Sequence, residues 1–218
     1  MENNQRKKIQ IAAAKLFVQK GFHATSIRQV GKAAGVNSSM ISYYFRSKEL
    51  LLLSIFEPSI QDLETIKSHL KGSSSTEMLQ LFYMIDFYTE RVMTDDTGIY
   101  LMLQEQSLRS IDGSTTLLDK IKDEQFTLFQ DIVNAGIHKG AFMHDVNIRM
   151  VFYTLIGTIR YIIIEHKGLW LQQNLPANQE NFRMALTDAK AYLKSLLVKM
   201  LLPEIQPHMI DRDKKIGK

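Results

Sequence analysis

Residues 26–45, SIRQVGKAAGVNSSMISYYF, constrain this chain more than any other stretch. Ile27, Val30, Gly31 and Ala34 recur at helical spacing, and so do Met40, Ile41, Tyr44 and Phe45. Gly35 lies between the two sets and can take the left-handed step that ends a helix. Ser26 with Gln29 three residues on fits a capping box, and Asn37 is a good N-cap. Helices this short need a partner for their apolar faces. The preceding segment offers one, because Ile9, Ala12, Ala13, Leu16 and Phe17 form a stripe that Gly21 stops. Three short helices, the second and third joined by a glycine turn, make a helix-turn-helix at about 26–45.

With Met40, Ile41, Tyr44 and Phe45 facing inward, Ser38, Ser39, Ser42 and Tyr43 face outward. A helix with one docked face can place the other in the DNA major groove, where hydroxyls meet base edges. Ser38 and Ser39 stand at the leading end with Asn37, and Ser42 lies one turn on. Tyr43 suits a sugar, a phosphate or a thymine methyl, and the hydroxyl of a half-buried Tyr44 can reach a phosphate. Lys48, opening the next helix, is placed for a phosphate, and Arg28 for the backbone or a flanking base. Charge agrees with this reading. Residues 1–52 carry nine Lys/Arg against Glu2 and Glu49, a net of +7, while the rest of the chain is mildly acidic at −3. A basic first unit expects an anionic polymer or surface.

The remainder reads as all-α. There are four prolines and recurrent period-3.6 patterns. Ser47 caps a longer fourth helix towards Leu70, kinked or broken at Pro58. Lys71–Ser75 is a loop, and Ser74 with Glu77 fits a capping box for a helix to about Met93. Helices follow at about 98–109 and 115–138, then one capped by Asp145 to about Lys167, then one over 179–201. The expectation is about nine helices, with a charged, disordered tail at 204–218. There is no cysteine, no apolar signal-type run and no stretch long enough to span a bilayer, so a cytoplasmic protein is expected.

The segment KLFVQKGFHATSIRQVGKAAGVNSSMISYYFRSKELLL resembles the DNA-binding segment of TetR-family transcriptional regulators. The resemblance rests on Leu16-Phe17, Gly21-Phe22, Thr25-Ser26, Ile27-Arg28, Ala34-Gly35-Val36, Tyr43-Tyr44-Phe45 and Lys48. It covers roughly residues 5–55. Gly31 departs from a common Ala, which should weaken the second helix by up to about 1 kcal/mol, and Ser42 stands where Tyr is frequent. The resemblance implies a DNA-binding domain over 1–52 and a helical effector-binding and dimerisation domain over 53–203. It implies a repressor released from a palindromic double-stranded DNA operator by a small molecule, with an activator or an effector-independent regulator as the alternative. The homodimer would form through the last two long helices, whose Val151, Phe152, Leu155, Ile156, Ile159, Ile162, Ile163, Leu193, Leu196, Leu197 and Met200 are apolar on more than one face. Gly157 would permit close approach there.

Candidates for a hydrophobic or aromatic effector are Phe82, Tyr83, Met84, Phe87, Tyr88, Met102, Phe126, Phe129 and Tyr153, with Gln106, Arg160, His166 and Trp170 as polar or stacking additions. The same spacing also suits an ordinary core, so no ligand-binding residue is assigned. No phosphate loop, nucleophile elbow or zincin motif occurs, so neither an enzyme nor a cofactor is expected. His138 and His144 flank Gly140, a weak pattern for a metal, and none is assigned. A membrane-surface role for the basic first helix is the remote alternative; its apolar stripe is needed by the two following helices.

Overall fold

The glycine and proline signals of the sequence become helix ends. The structure, a computed structural model, describes residues 2–94, 114–173 and 179–203, with side chains for 4–94, 117–166 and 180–203. Among the described residues every regular element is an α-helix. The first four are α1 (Glu2–Lys20), α2 (Ile27–Ala34), α3 (Ser38–Phe45) and α4 (Lys48–Ile55). Gly21 leaves α1 at φ +83°, and its N–H closes on the Phe17 carbonyl at 3.0 Å. The Ser26–Gln29 capping box forms in both directions, and the Asn37 side chain accepts from the Met40 N–H at 2.9 Å.

Gly31 is needed for a different reason than helix propensity suggests. Gly35 turns left at φ +69°, and the Val36 N–H reaches back to the Gly31 carbonyl at 2.9 Å. A Cβ on Gly31 would lie 2.8 Å from the Val36 carbonyl oxygen. The missing methyl is what lets the turn close, so the propensity cost is offset at the turn.

The helix expected from Ser47 towards Leu70, kinked or broken at Pro58, is broken into two. After α4 ends at Ile55, α5 runs over Glu57–Lys71 with Pro58 in its first turn. Pro58 has no N–H to give the Ser54 carbonyl, four residues back. The Gln10 side chain donates to that carbonyl at 2.9 Å and reaches the Ser54 hydroxyl at 3.1 Å. Phe56, fully buried, sits at the joint. The break is therefore filled from α1 rather than left to solvent.

Next come α6 (Glu77–Thr94), α7 (Ser114–His138), α8 (Ile148–Gln173) and α9 (Gln179–Leu201). Two expected caps are corrected. Glu77 does not complete a box with Ser74. Its buried carboxylate pairs with Lys139 beyond α7, because an ammonium compensates a desolvated charge better than an amide does. The α8 cap is Asn147, which accepts from the Met150 N–H at 3.1 Å, not Asp145, and the helix continues past Lys167 to Gln173. The expected 98–109 helix, the loop at Pro176 and the 204–218 tail lie outside the described residues. So do Met102 and Gln106, and so does the side chain of Trp170.

One apolar core runs from Phe17 and Leu51 through Phe56 and Ile66 to Leu81, Phe129, Leu155, Leu186 and Leu197. In it α1 packs on α2, α4 and α8, α4 packs on α7, and α9 packs on α6 and α8. Ion pairs bind the layers at their edges: Arg91 with Asp62 at 2.7 Å, Lys67 with Glu124 at 2.9 Å, and Asp86 with Lys190 at 2.9 Å and Lys194 at 2.7 Å. Of the residues expected at a dimer surface, Val151, Leu155, Ile159, Ile163, Leu193 and Leu197 are buried in this core. The apolar side chains left outside on these helices are different ones. They are Met150, Tyr153, Tyr161 and Ile164 on α8, and Met184 and Tyr192 on α9.

Candidate DNA-binding surface and effector cavity

α3 docks by Ile41 and Phe45, both buried, with Met40 and Tyr44 half-buried beside them. That leaves Ser38, Ser39, Ser42 and Tyr43 on the outer face, with Tyr43 73% exposed and its ring edge-on to Tyr44 at 5.3 Å. The three serines are not equivalent. The Ser39 hydroxyl donates to the Asn37 side chain at 2.6 Å, and Ser42 donates to the Ser38 carbonyl at 3.2 Å. The Ser38 hydroxyl has no partner among the described residues, so it is the least committed of the three. Asn37 itself is occupied as the cap.

Lys48 does not simply project towards a phosphate. Its ammonium donates to the Phe22 and Thr25 carbonyls, both at 3.0 Å, and lies 4.2 Å from the centre of the Phe22 ring. Two of its three donors thus tie the loop between α1 and α2 to the start of α4, and one is left over. Arg6 is committed as well: its guanidinium is bidentate to Glu57, both distances 2.9 Å, and lies over the Phe45 ring. Seven cations in the first fifty-two residues remain without an ion pair among the described residues: Lys7, Lys8, Lys15, Lys20, Arg28, Lys32 and Arg46.

Arg46 was not singled out by the sequence. It follows α3 directly at φ +62°, the one described residue other than glycine in the left-handed half of backbone space, and its N–H closes on the Ser42 carbonyl at 2.9 Å. A side chain held there costs on the order of 1–3 kcal/mol. Periodicity carries no signal of backbone sign, so only the folded turn reveals it.

A second feature lies among α6, α7 and α8. A cavity of about 280 Å³ has an apolar wall of Val92, Phe126, Phe152, Ile156, Ile159 and Ile163. Phe152 meets Phe126 and Phe129 with ring centres 5.4 Å apart in each case. The polar lining is Tyr88, Gln125, Lys122, Asp123, Arg149 and Arg160. Of the pocket candidates read from the sequence, Tyr88, Phe126, Tyr153 and Arg160 line it. Met84 and Phe129 are core. Tyr83 stacks on His69 at 3.8 Å, Phe82 lies under Lys194, Phe87 packs on the core, and His166 meets Phe182. The sequence missed Arg149 and assigned the α8 isoleucines to a dimer face. Among the described residues no three His, Cys, Asp or Glu side chains cluster as a metal site, and no helix is long and apolar enough to cross a membrane.

A short helix-turn-helix with a free polar outer face and a surplus of unpaired cations defines a DNA-binding protein of the helix-turn-helix class. Residues 10–55 match the family model described as bacterial regulatory proteins, tetR family. The chain is 40% identical over 143 residues to the probable HTH-type transcriptional regulator YttP of Bacillus subtilis, covering 62% of this chain and 66% of that one. It is 23% identical over 157 residues to the HTH-type transcriptional repressor KstR2 of Rhodococcus jostii, covering 72% and 77%. In fold it is similar to KstR2 of Mycobacterium tuberculosis, with a TM-score of 0.69 and 20% identity over 91% of this chain and 95% of that one. It is also similar to FadR of Bacillus subtilis, solved in complex with stearoyl-CoA, with a TM-score of 0.64 and 22% identity over 88% and 97%. The chain belongs to the tetR family and is a DNA-binding transcriptional regulator.

Proposed function

We propose that this regulator is a dimeric repressor, released from a palindromic operator when a small molecule fills the cavity among α6, α7 and α8. Residues 1–52 form the reader and 53–203 the sensor. α3 enters the major groove with Ser38 foremost, Ser42 and Tyr43 behind it, and Arg28, Tyr44, Arg46 and the spare donor of Lys48 at the backbone. Ser39 and Asn37 hold the start of the helix in shape.

One observation carries the sensing part. α7 and α8, which line the cavity, are also the helices on which α4 and α1 rest. A ligand that fits one arrangement of α7 and α8 better than another shifts the angle of the reader, in proportion to its differential affinity. The naming of KstR2 as a repressor and the stearoyl-CoA complex of FadR support the same reading.

Dimerisation is supported by the surface of α8 and α9. Tyr161 and Ile164 on α8 and Tyr192 on α9 are exposed, at 64%, 52% and 62%. Gly157 lies on the same face of α8 with no heavy atom within 4 Å of where its Cβ would be. A second copy covers this face, and a two-fold pair places the reading helices about 34–36 Å apart, one helical turn of DNA, or at a multiple of that spacing.

Selection of genomic fragments with the purified protein at near-physiological salt, followed by footprinting, tests this function. A short protected palindrome is expected. Diffuse binding that persists after unfolding and refolding to remove any bound ligand would overturn it.

A further inference from the structure

The hydroxyl of Tyr88 is buried, lines the cavity and has no hydrogen-bond partner among the described residues. Leaving such a group unpaired incurs its desolvation cost without return, so its natural complement is a ligand atom. The Gln125 side chain lines the same space and lies near enough to pull the phenol partly back down, yet it meets the hydroxyl at no hydrogen-bonding geometry. Burial and the nearby Asp62 carboxylate both push the phenol well above its usual range, so it stays protonated and acts as a donor. The matching ligand atom is an acceptor.

The charges around the cavity agree. Lys122, Arg149 and Arg160 face one carboxylate, Asp123. Arg149 is exposed at the edge, its guanidinium 4.3 Å from the centre of the Phe126 ring. Lys122 and Arg160 have partners of their own, and the Asp62 carboxylate near Tyr88 is paired with Arg91 at 2.7 Å, so the cavity lining itself carries three cationic side chains against one acidic one. The rest of the wall is aliphatic and aromatic. A volume of about 280 Å³ holds roughly ten heavy atoms at about 30 Å³ each.

We propose that the cavity takes an amphipathic monoanion, an apolar body of about ten heavy atoms ending in a carboxylate that accepts from Tyr88 and lies in the field of Lys122, Arg149 and Arg160. This rests on the effector reading above but specifies its chemistry. A neutral alcohol of the same shape satisfies Tyr88 without using the cations. A cation of the same shape is repelled by them and offers no acceptor.

The probes are octanoate, octan-1-ol and octylammonium, titrated calorimetrically into the intact protein, with DNA affinity measured on a selected fragment in the same samples. Octanoate is expected to bind at least tenfold tighter than octanol, and octylammonium weakest. Arg149→Gln should cut the octanoate-to-octanol ratio about threefold and leave octanol unchanged. Tyr88→Phe should weaken octanoate about tenfold yet leave the melting temperature unchanged or higher, since it removes an unpaired hydroxyl. If the three probes bind alike, or none binds, the ligand class is overturned, and an effector reading based on other molecules survives. If octanoate binds with the stated preference but DNA affinity does not change, the ligand class stands and the effector reading falls.

Discussion

The ammonium of Lys48 donates to the carbonyl of Phe22 at 3.0 Å, joining the first residue of α4 to the loop that follows α1. The recognition helix lies between these two points in the chain. Its placement therefore depends on a half-buried side chain with one donor left over.

Removing that charge while keeping the stem separates the two roles. Lys48→Met should destabilise the fold by about 1–2 kcal/mol, from the loss of two charged hydrogen bonds in a half-exposed setting. It should also lower the salt slope of DNA binding by about one, if the spare donor meets a phosphate. Denaturant titration and affinity against salt read the two independently. A full slope change at unaltered stability would remove the tie to Phe22 from the account.

Ser38 and Asn37 should behave differently although they are adjacent. Ser38→Ala should relax preference at one base position, by about 1–3 kcal/mol at the preferred site, with no stability loss. Asn37→Ala should cost about 1 kcal/mol of stability through the lost cap and weaken all sequences together. Repeating the fragment selection with each variant distinguishes them. An identical selected motif for Ser38→Ala would return that hydroxyl to solvent.

At Arg46 the two readouts should move in opposite directions. Glycine accepts φ +62° without a Cβ penalty, so Arg46→Gly should stabilise the chain by up to about 1 kcal/mol, reduced by the extra freedom of glycine in the unfolded state. The same change removes an exposed cation beside α3 and should weaken DNA binding. A variant that is both less stable and equally good at binding would contradict both statements.

Gly157→Leu tests the dimer face without a structural cost to the monomer. Leucine is the better helix former by about 0.8 kcal/mol, and the space outside Gly157 is open in the single chain. Sedimentation should show the dimer weakened while the helical content of the chain is kept. An unchanged dimer would place the interface elsewhere.

Acid stability should depend on Glu77. The Lys139 ammonium, through its hydrogen bond, is the largest influence on this carboxyl and holds it below the ordinary carboxylate range. A folded-state value below the unfolded one, near 4.3, gives stability that is fully present above about pH 5 and fades as pH falls through the folded value. Glu77→Gln should therefore flatten the loss of stability between about pH 5 and 3. Burial is the largest single influence on Asp86 and pushes its carboxyl up, but the hydrogen bonds and charges of Lys194 and Lys190 together outweigh it and hold it below the ordinary range, so it contributes with the same sign. It should keep some acid sensitivity in the variant. A curve identical to that of the parent protein would show the Lys139 pair to be without weight.

Much of the N-terminal unit was legible in the residues. Gly21, the Ser26–Gln29 box, Gly35 and Asn37 act on backbone atoms within a few residues, so local chemistry suffices to place the ends of α1, α2 and α3. The stripe of α3 likewise predicts which side docks and which faces outward. Further along, the same kind of reading went astray at Glu77 and Asp145. At Glu77 a cap and a distant ion pair compete for one carboxylate, and the Lys139 ammonium that wins it lies 62 residues along the chain; at Asp145 the nearby Asn147 side chain takes the cap instead.

Local periodicity also states that a face is apolar but not what covers it. Ile156, Ile159 and Ile163 could have met a second copy, the core or a ligand, and only the packing of α6, α7 and α8 put all three at a cavity. The break at Pro58 was written in the sequence, but the Gln10 amide that fills it was not. The φ of Arg46 and the Tyr88 hydroxyl, unpaired among the described residues, arise from the closed tertiary structure alone, because backbone sign and side-chain satisfaction belong to a three-dimensional neighbourhood. The sequence by itself determined the helix ends of the N-terminal unit, the outward face of α3 and the family. The tertiary structure decided which polar groups were left without partners, because pairing depends on what reaches a group in space rather than along the chain.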